Sequence, residues 1–119
     1  EREKAETVRV FESAIDLLSY MTLCKIWRKD CSTESLISTA GISASRTDEI
    51  KLPLALSRYL EKHPETETIL LHFDNDAAGR KCAEQIKYKL RNDFRVKSIM
   101  PKQGKDYNEY LQIIIKAKK

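Results

Sequence analysis

The 119-residue sequence lacks long hydrophobic runs, paired cysteines and glycine-rich loops, and each absence excludes a class of protein. No apolar stretch approaches the roughly 18 residues of a membrane span, and the charged start EREKAE is not a signal peptide. We therefore expect a cytoplasmic protein that makes no membrane contact. The three cysteines form no CxxC pair, so neither a disulfide framework nor a zinc site is indicated. A P-loop is absent, because Gly79 alone cannot cradle a phosphate.

The composition is that of one compact domain with a heavily charged surface. Hydrophobic residues make up 41% of the chain and charged residues 34%, which allows a packed core. The net charge of +4 favours polyanionic partners only weakly, since a solvated surface often carries such a charge. We expect residues 1–6 to be a linker from an upstream region. Residues 7–119 are then a single domain of a longer protein.

Hydrophobic periodicity alternates between strand-like and helix-like along the chain. Strands are predicted at 7–11, 35–41, 68–73 and 94–100. Helices are predicted over about 12–27, 53–62, 78–90 and 106–117. This order predicts an α/β, Rossmann-like fold, in which a four-stranded, mainly parallel sheet carries helices on both faces. The last strand mixes apolar and basic residues, as an edge strand does.

Local signals support the individual helices. Ser13 and Asp16 resemble a capping box at the start of the first helix. Apolar residues then recur at helical spacing, at Ala14, Leu17, Leu18, Met21 and Cys24. We expect Cys82 and Cys24 to be buried thiols, and the isolated His63 and His72 to be structural.

Carboxylates follow three of the predicted strands. Glu12 ends the first strand, Asp74 and Asp76 end the third, and Asp106 follows the fourth. Ligands of such sheets bind outside the carboxyl ends of the strands. Carboxylates held together repel unless a cation shares their charge, and Mg²⁺ takes such ligands while it keeps positions for phosphate oxygens. The pattern therefore predicts a divalent-metal site for phosphate chemistry.

Helix capping is a competing explanation for part of this set. Asp16, Asp76 and Asp106 each stand where a helix begins, and a capping role is compatible with metal binding. Glu12 and Asp74 are poorer capping residues, because better ones lie beside them. We favour function for these two.

Two other metal-binding motifs do not match the sequence. An EF-hand loop starting at Asp74 needs a polar ligand at its fifth position and glutamate at its twelfth, where the chain has Ala78 and Gln85. A phosphatase of the haloacid type needs threonine or valine at the position of Ala78.

Three segments resemble the signatures of the Toprim domain, namely VFESAIDLLSY, ILLHFDNDAAGRKCAEQI and PKQGKDYNEYL. This domain is shared by bacterial primases, type IA and type II topoisomerases and OLD-type nucleases. The resemblance runs from about Val8 to Leu111. It is closest to the primase-like branch found in plasmid and mobile-element proteins.

The resemblance implies catalytic roles for Glu12, Asp74 and Asp76, with the glutamate as metal ligand or general acid/base. The cofactor that it implies is Mg²⁺ or Mn²⁺. The metal ligands that it implies are Glu12, Asp16, Asp74, Asp76 and Asp106. The late acidic pair of the family falls on Asp106 and Asn108, so one of its members is not acidic here. Ser13 replaces the glycine that is common after the glutamate.

Basic residues flank the acidic motifs. Arg80 follows the paired aspartates and Lys105 precedes Asp106, and we expect both, with Asn108, to bind substrate phosphates. The expected partners are DNA, nucleoside triphosphates and other domains of the parent protein. Nucleotidyl transfer in a primase-like protein is the first interpretation. An OLD-type nuclease and a non-catalytic binding or assembly module are the alternatives. The presence of Glu12, Asp74 and Asp76 argues against the non-catalytic module.

Overall fold

The computed structural model describes residues 6–30, 34–40 and 51–117, which form four strands and four helices in strict alternation. They are β1 (Thr7–Phe11), α1 (Ala14–Ile26), β2 (Ser35–Ser38), α2 (Leu54–Lys62), β3 (Thr68–His72), α3 (Ala77–Leu90), β4 (Arg95–Ser98) and α4 (Tyr107–Ala117). Each predicted element is present, with ends that differ by a few residues. Gly41, at which the second strand was expected to close, and the loop 42–50 lie outside the described residues.

The sheet has the order β2-β1-β3-β4, and every neighbouring pair is parallel. β1 and β3 lie side by side, with Phe11 paired to His72. The residues that follow these two strands therefore emerge together at the carboxyl edge of the sheet. β4 lies at an edge, as its mixed composition predicts.

Helices cover both faces of the sheet, which confirms the predicted α/β architecture. Alternation along β1 sends Val8 and Val10 to one face and Arg9 and Phe11 to the other. The core under α2 and α3 consists of Val8, Val10, Leu56, Ile69, Leu71, Phe73, Cys82, Ala83, Ile86 and Leu90. The core under α1 and α4 consists of Phe11, Tyr20, Leu23, Cys24, Tyr107 and Tyr110. Each of the larger apolar side chains contributes about 1.5–3 kcal/mol by burial.

The buried face of α1 differs from the face that its apolar spacing suggests. Leu18 and Met21 are exposed. The buried residues are Asp16, Ser19, Tyr20, Leu23 and Cys24. Apolar residues occur all round this helix, and both the sheet and α4 pack against it. The spacing therefore predicts the helix but not its orientation.

The amino edge of the sheet begins close to the start of the chain. Residues 1–5, most of the expected linker, lie outside the described residues. The Glu6 carbonyl accepts a hydrogen bond from the Glu67 N–H at 2.8 Å, which extends the pairing of β1 with β3 by one step. None of the described helices is both long and apolar enough to cross a membrane.

Candidate metal centre

Three aspartates from different parts of the chain meet at the carboxyl edge of the sheet. One carboxylate oxygen from each of Asp16, Asp74 and Asp106 lies within 4.8 Å of the other two. Asp16 is in the first turn of α1, Asp74 follows β3, and Asp106 directly precedes α4. They come together because β1 and β3 are neighbours and α4 packs on α1.

Asp16 is the most buried member of this three-aspartate cluster and is held from two sides. Its Oδ2 accepts a hydrogen bond from the Ser13 hydroxyl at 3.0 Å, and its Oδ1 accepts one from the Asn108 N–H at 3.2 Å. Ser13 also caps α1, since its Oγ accepts the Asp16 N–H at 3.3 Å. Asp16 thus joins the amino ends of α1 and α4, where the helix dipoles favour negative charge.

Glu12 joins the ends of the two central strands. Its Oε2 accepts a hydrogen bond from the Asp74 N–H at 2.7 Å. Asp76 caps α3, because its Oδ1 accepts the Gly79 N–H at 2.7 Å. Among the described residues, neither Glu12 nor Asp76 belongs to the group of three aspartates. Their assignment as metal ligands stays a prediction.

Asp106 is positioned by a tightly bonded loop. Its Oδ1 accepts the Glu109 N–H at 2.9 Å, and the Glu109 side chain in turn accepts the Lys105 N–H at 2.9 Å. Gly104 has a φ of 79°, a left-handed conformation that favours glycine. The Lys105 carbonyl accepts the Asn75 N–H at 2.6 Å, so this loop is fixed to the one that follows β3. Capping and a place in the cluster are therefore compatible for Asp106.

The crowding of carboxylates changes their acidity. Burial, and then the charges of Glu12, Asp16, Asp106 and Asp76, raise the pKa of Asp74 to about 7. Burial also raises the pKa of Glu12 and of Asp16, although hydrogen bonds from the Asp74 and Ser13 groups oppose the rise. A cation between the carboxylates would relieve this repulsion.

The three predicted substrate-binding residues differ in their exposure and in their hydrogen bonds near this edge. Arg80 is exposed and its guanidinium donates to the Asn75 side chain at 2.9 Å. The Lys105 side chain is exposed, while its backbone binds Asn75. Asn108 contributes its backbone N–H to Asp16. Contact of these three residues with substrate stays a prediction.

Gly79 has a role at this site that sequence reasoning missed. A Cβ at this position would overlap the Asp74 carbonyl oxygen. Only glycine therefore lets the first turn of α3 approach the backbone that carries Asp74. A glycine in the first turn of a helix, directly after the paired aspartates, was the available signal.

A buried polar relay under α1 and α4 was also missed. The Arg9 guanidinium donates to both Glu34 carboxylate oxygens, at 2.8 and 2.9 Å, and to His72 Nε2 at 3.0 Å. Since arginine only donates, Nε2 accepts, and Nδ1–H donates to the Tyr107 hydroxyl at 2.9 Å. That hydroxyl donates to the Ile99 carbonyl at 3.2 Å. Burial, aided by nearby positive charge, lowers the pKa of His72 to about 3, so the ring is neutral.

The relay confirms that His72 is structural, and it fixes the first turn of α4 against the sheet. An arginine between two valines of a buried strand was the signal that could have revealed it.

Comparison with known proteins identifies the family of this chain. No curated protein matches the chain. The sequence profile of the Toprim-like family matches residues 9–111, a span that includes most of β1, the other three strands and every member of the three-aspartate cluster. Toprim domains are in general metal-dependent and process nucleic acids. Because this match covers most of its 119 residues, the chain belongs to the Toprim-like family.

Proposed function

We propose that this chain is the nucleotidyl-transfer domain of a primase-like protein and works with Mg²⁺ or Mn²⁺. The observation that carries the proposal is the three-aspartate cluster, whose oxygens lie within 4.8 Å of one another at the carboxyl edge of a Toprim-like sheet. Ligands of parallel α/β sheets bind at this edge.

The donor set fits a hard divalent cation. All three side chains offer carboxylate oxygens, which Mg²⁺ and Mn²⁺ prefer, and among the described residues no thiol or imidazole joins the cluster. Burial and neighbouring charge raise the pKa of Asp74 to about 7, and a bound cation would oppose this effect. When bound, such a cation would neutralise charge that develops on a transferred phosphoryl group.

The chain's own residues have separable roles in this proposal. Asp16, Asp74 and Asp106 hold the cation. Glu12, fixed by its hydrogen bond to the Asp74 N–H, acts from the neighbouring strand as ligand or general acid/base. Asp76 orients the start of α3 and adds negative charge next to Asp74.

Basic groups at the same edge would bind the substrate. Arg80 and the Lys105 side chain are exposed next to the cluster, where they can meet phosphates of a nucleoside triphosphate or of DNA. We assign Asn108 to the same surface. The proposed setting is cytoplasmic, with other domains of a parent protein supplying template binding.

Metal titration tests the centre directly. Calorimetry or NMR with Mn²⁺ and Mg²⁺ should show saturable binding to the wild-type chain and strongly reduced binding to Asp74→Asn. Asp93→Asn is the matched control, because it removes an exposed carboxylate at the opposite edge of the sheet. Equal metal binding by the wild type and Asp74→Asn would contradict the site.

Product analysis tests the chemistry. With the full-length parent protein, a primed DNA template, nucleoside triphosphates and Mg²⁺, we expect extension of the 3′ end, lost in Glu12→Gln without loss of folding. Shortened strands in place of extended ones would overturn nucleotidyl transfer in favour of a nuclease. Full activity in Glu12→Gln would remove Glu12 from the mechanism.

A further inference from the structure

A second concave site lies on the α1/α4 side of the sheet. It is a cavity of about 510 Å³, within the size range of small-molecule sites. Four aromatic side chains line it, Tyr20 and Trp27 at α1 and Tyr107 and Tyr110 on α4. Trp27 is the single tryptophan of the chain. We call this site the aromatic cavity.

The aromatic cavity adjoins the metal centre without sharing its ligands. Tyr107 stands between Asp106 and Asn108, so the first turn of α4 contributes to both sites. The other residues of the cavity come from α1 and the turn after it, from the two central strands, and from the segment after β4, which includes Ile99 and Met100. A nucleic-acid substrate bound at the three-aspartate cluster would therefore lie close to the aromatic cavity.

The charge of the aromatic cavity is positive. Lys29 and Lys102 line it with exposed side chains, and Arg9 lines its buried floor. Among the described residues, no aspartate or glutamate lines it. The carboxylate that neutralises Arg9 belongs to Glu34, which lies outside the lining. The two lysines thus give the opening an excess of positive charge that suits an anionic ligand.

The floor of the aromatic cavity is rigid. Arg9, His72 and Tyr107 are hydrogen-bonded to one another in the polar relay, and the His72 ring is stacked on Phe11 with centroids 4.7 Å apart. The polar groups of the floor therefore already have partners. Tyr20, Tyr107 and Tyr110 are themselves buried, so the surface left for a ligand is mainly the exposed side chains of Trp27 and Ile99.

A well-formed turn places Trp27 and Lys29 at the opening. The Lys29 N–H bonds the Cys24 carbonyl at 2.7 Å and the Arg28 N–H bonds the Lys25 carbonyl at 3.1 Å, the two bonds of a Schellman motif. Arg28 takes the left-handed conformation that this motif requires, with a φ of 58°. The indole is held there although 44% of it is exposed. An exposed, fixed indole beside two lysines is suited to stack on a flat ring.

We propose that the aromatic cavity binds an unpaired base of single-stranded nucleic acid, with the base stacked on Trp27 and the adjacent phosphates on Lys29 and Lys102. Base stacking on aromatic rings combined with a positive groove is the general mode of single-strand binding. The Trp27 and Tyr110 rings are already neighbours, with centroids 5.7 Å apart. The proposal rests on the proposed function insofar as nucleic acid is the substrate.

Trp27 itself provides the test, since its fluorescence reports on this cavity alone. The chain is titrated with a short oligothymidylate in EDTA, so that the metal centre is not involved. We expect a saturable change in emission that weakens as salt is raised. Lys29→Gln/Lys102→Gln should weaken binding about tenfold or more, whereas Lys89→Gln/Lys116→Gln, which removes two exposed lysines elsewhere, should weaken it far less.

A labelled oligothymidylate followed by anisotropy tests the stacking. Trp27→Leu changes an exposed side chain, so it should fold, and it should weaken binding about tenfold. No saturable response, an equal loss in the two lysine pairs, or no effect of Trp27→Leu would each overturn the proposal. Thymidine monophosphate that binds as tightly as the oligomer would overturn the assignment to a strand and indicate a free nucleotide.

The two proposals fail separately. Asp74→Asn should leave the Trp27 response unchanged, because the cavity holds none of the cluster. A chain that binds metal and transfers nucleotides without a Trp27 response overturns the cavity alone. A chain that binds the oligomer at Trp27 but takes up no metal overturns the proposed chemistry alone.

Discussion

At the scale of single residues, Asp74 is the side chain whose pKa shows most clearly the repulsion between the clustered carboxylates. Burial and neighbouring charge raise its pKa to about 7. The unfolded chain has the ordinary value of about 3.9 and so binds this proton less tightly. The free energy of unfolding of the metal-free protein should therefore fall as the pH rises from about 4 to about 7.

Substitution of Asp74 by asparagine should remove that pH dependence. At about pH 8, in EDTA, we expect Asp74→Asn to be more stable than the wild type by about 1 kcal/mol, a value reduced for the solvent screening of a partly exposed group. Urea denaturation at acidic and alkaline pH measures it. Asp93→Asn should retain the wild-type pH dependence. A free energy of unfolding that changes by the same amount between about pH 4 and pH 7 in all three proteins would contradict this assignment.

The hydroxyl of Tyr107 should make a measurable contribution to the free energy of unfolding. Tyr107→Phe leaves the His72 Nδ1–H and the Ile99 carbonyl without their partner, at a cost of about 1–3 kcal/mol. Denaturation of this variant should show the loss, whereas Tyr88→Phe, at an exposed position, should lie within about 0.5 kcal/mol of the wild type. Nitrogen NMR of the wild type should show a neutral His72 with its proton on Nδ1. A proton on Nε2 would disprove the direction of the relay.

At the scale of elements, the approach of α3 to the end of β3 depends on Gly79. Gly79→Ala would place a methyl group against the Asp74 carbonyl, so α3 must shift. Such overpacking should lower the free energy of unfolding by about 1–3 kcal/mol, and the displaced Asp74 should weaken Mn²⁺ binding. Denaturation and metal titration check the two effects.

The neighbouring Ala78→Ser is the control for this change. It also adds one heavy atom, but on an exposed position of the same turn, and its effect on stability should stay within about 0.5 kcal/mol. Similar losses in both variants would show that the contact with the Asp74 carbonyl is not the cause.

The elements themselves were predictable because their signals are local. A buried run such as Thr68–His72 and the cap at Ser13 can be recognised within a few residues of sequence. The buried face of α1 was not predictable. Its apolar residues surround the helix, and the choice of face depends on α4, which lies about 90 residues further along the chain.

At the scale of the whole molecule, the identity of the meeting carboxylates was only partly predictable. Glu12, Asp74, Asp76 and Asp106 could be assigned to the carboxyl edge from the strand order, because neighbouring parallel strands end at the same edge, whereas Asp16 was implied by the family resemblance. Which three come within 4.8 Å depends on the packing of α1 against α4 and on the bond between the Asn75 N–H and the Lys105 carbonyl. Neither contact can be recognised from a few residues of sequence. The sequence therefore did not show that Asp16 and Asp106 join Asp74 in the cluster while Glu12 binds the Asp74 backbone.

Metal binding should couple this edge to the stability of the whole fold. A ligand that binds only the native state stabilises it, by about 2.7 kcal/mol at a hundred times its Kd. Since Asp74 must lose its proton to bind a cation, and its pKa is about 7, protons compete with the metal below that pH. We therefore expect Mn²⁺ to raise the Tm more at about pH 8 than at about pH 6. EDTA should reverse the rise, and Asp74→Asn should abolish it. A rise of the same size at both pH values, or one that persists in Asp74→Asn, would mean that the metal binds elsewhere, because Asp74 belongs to the cluster and its pKa is raised to about 7.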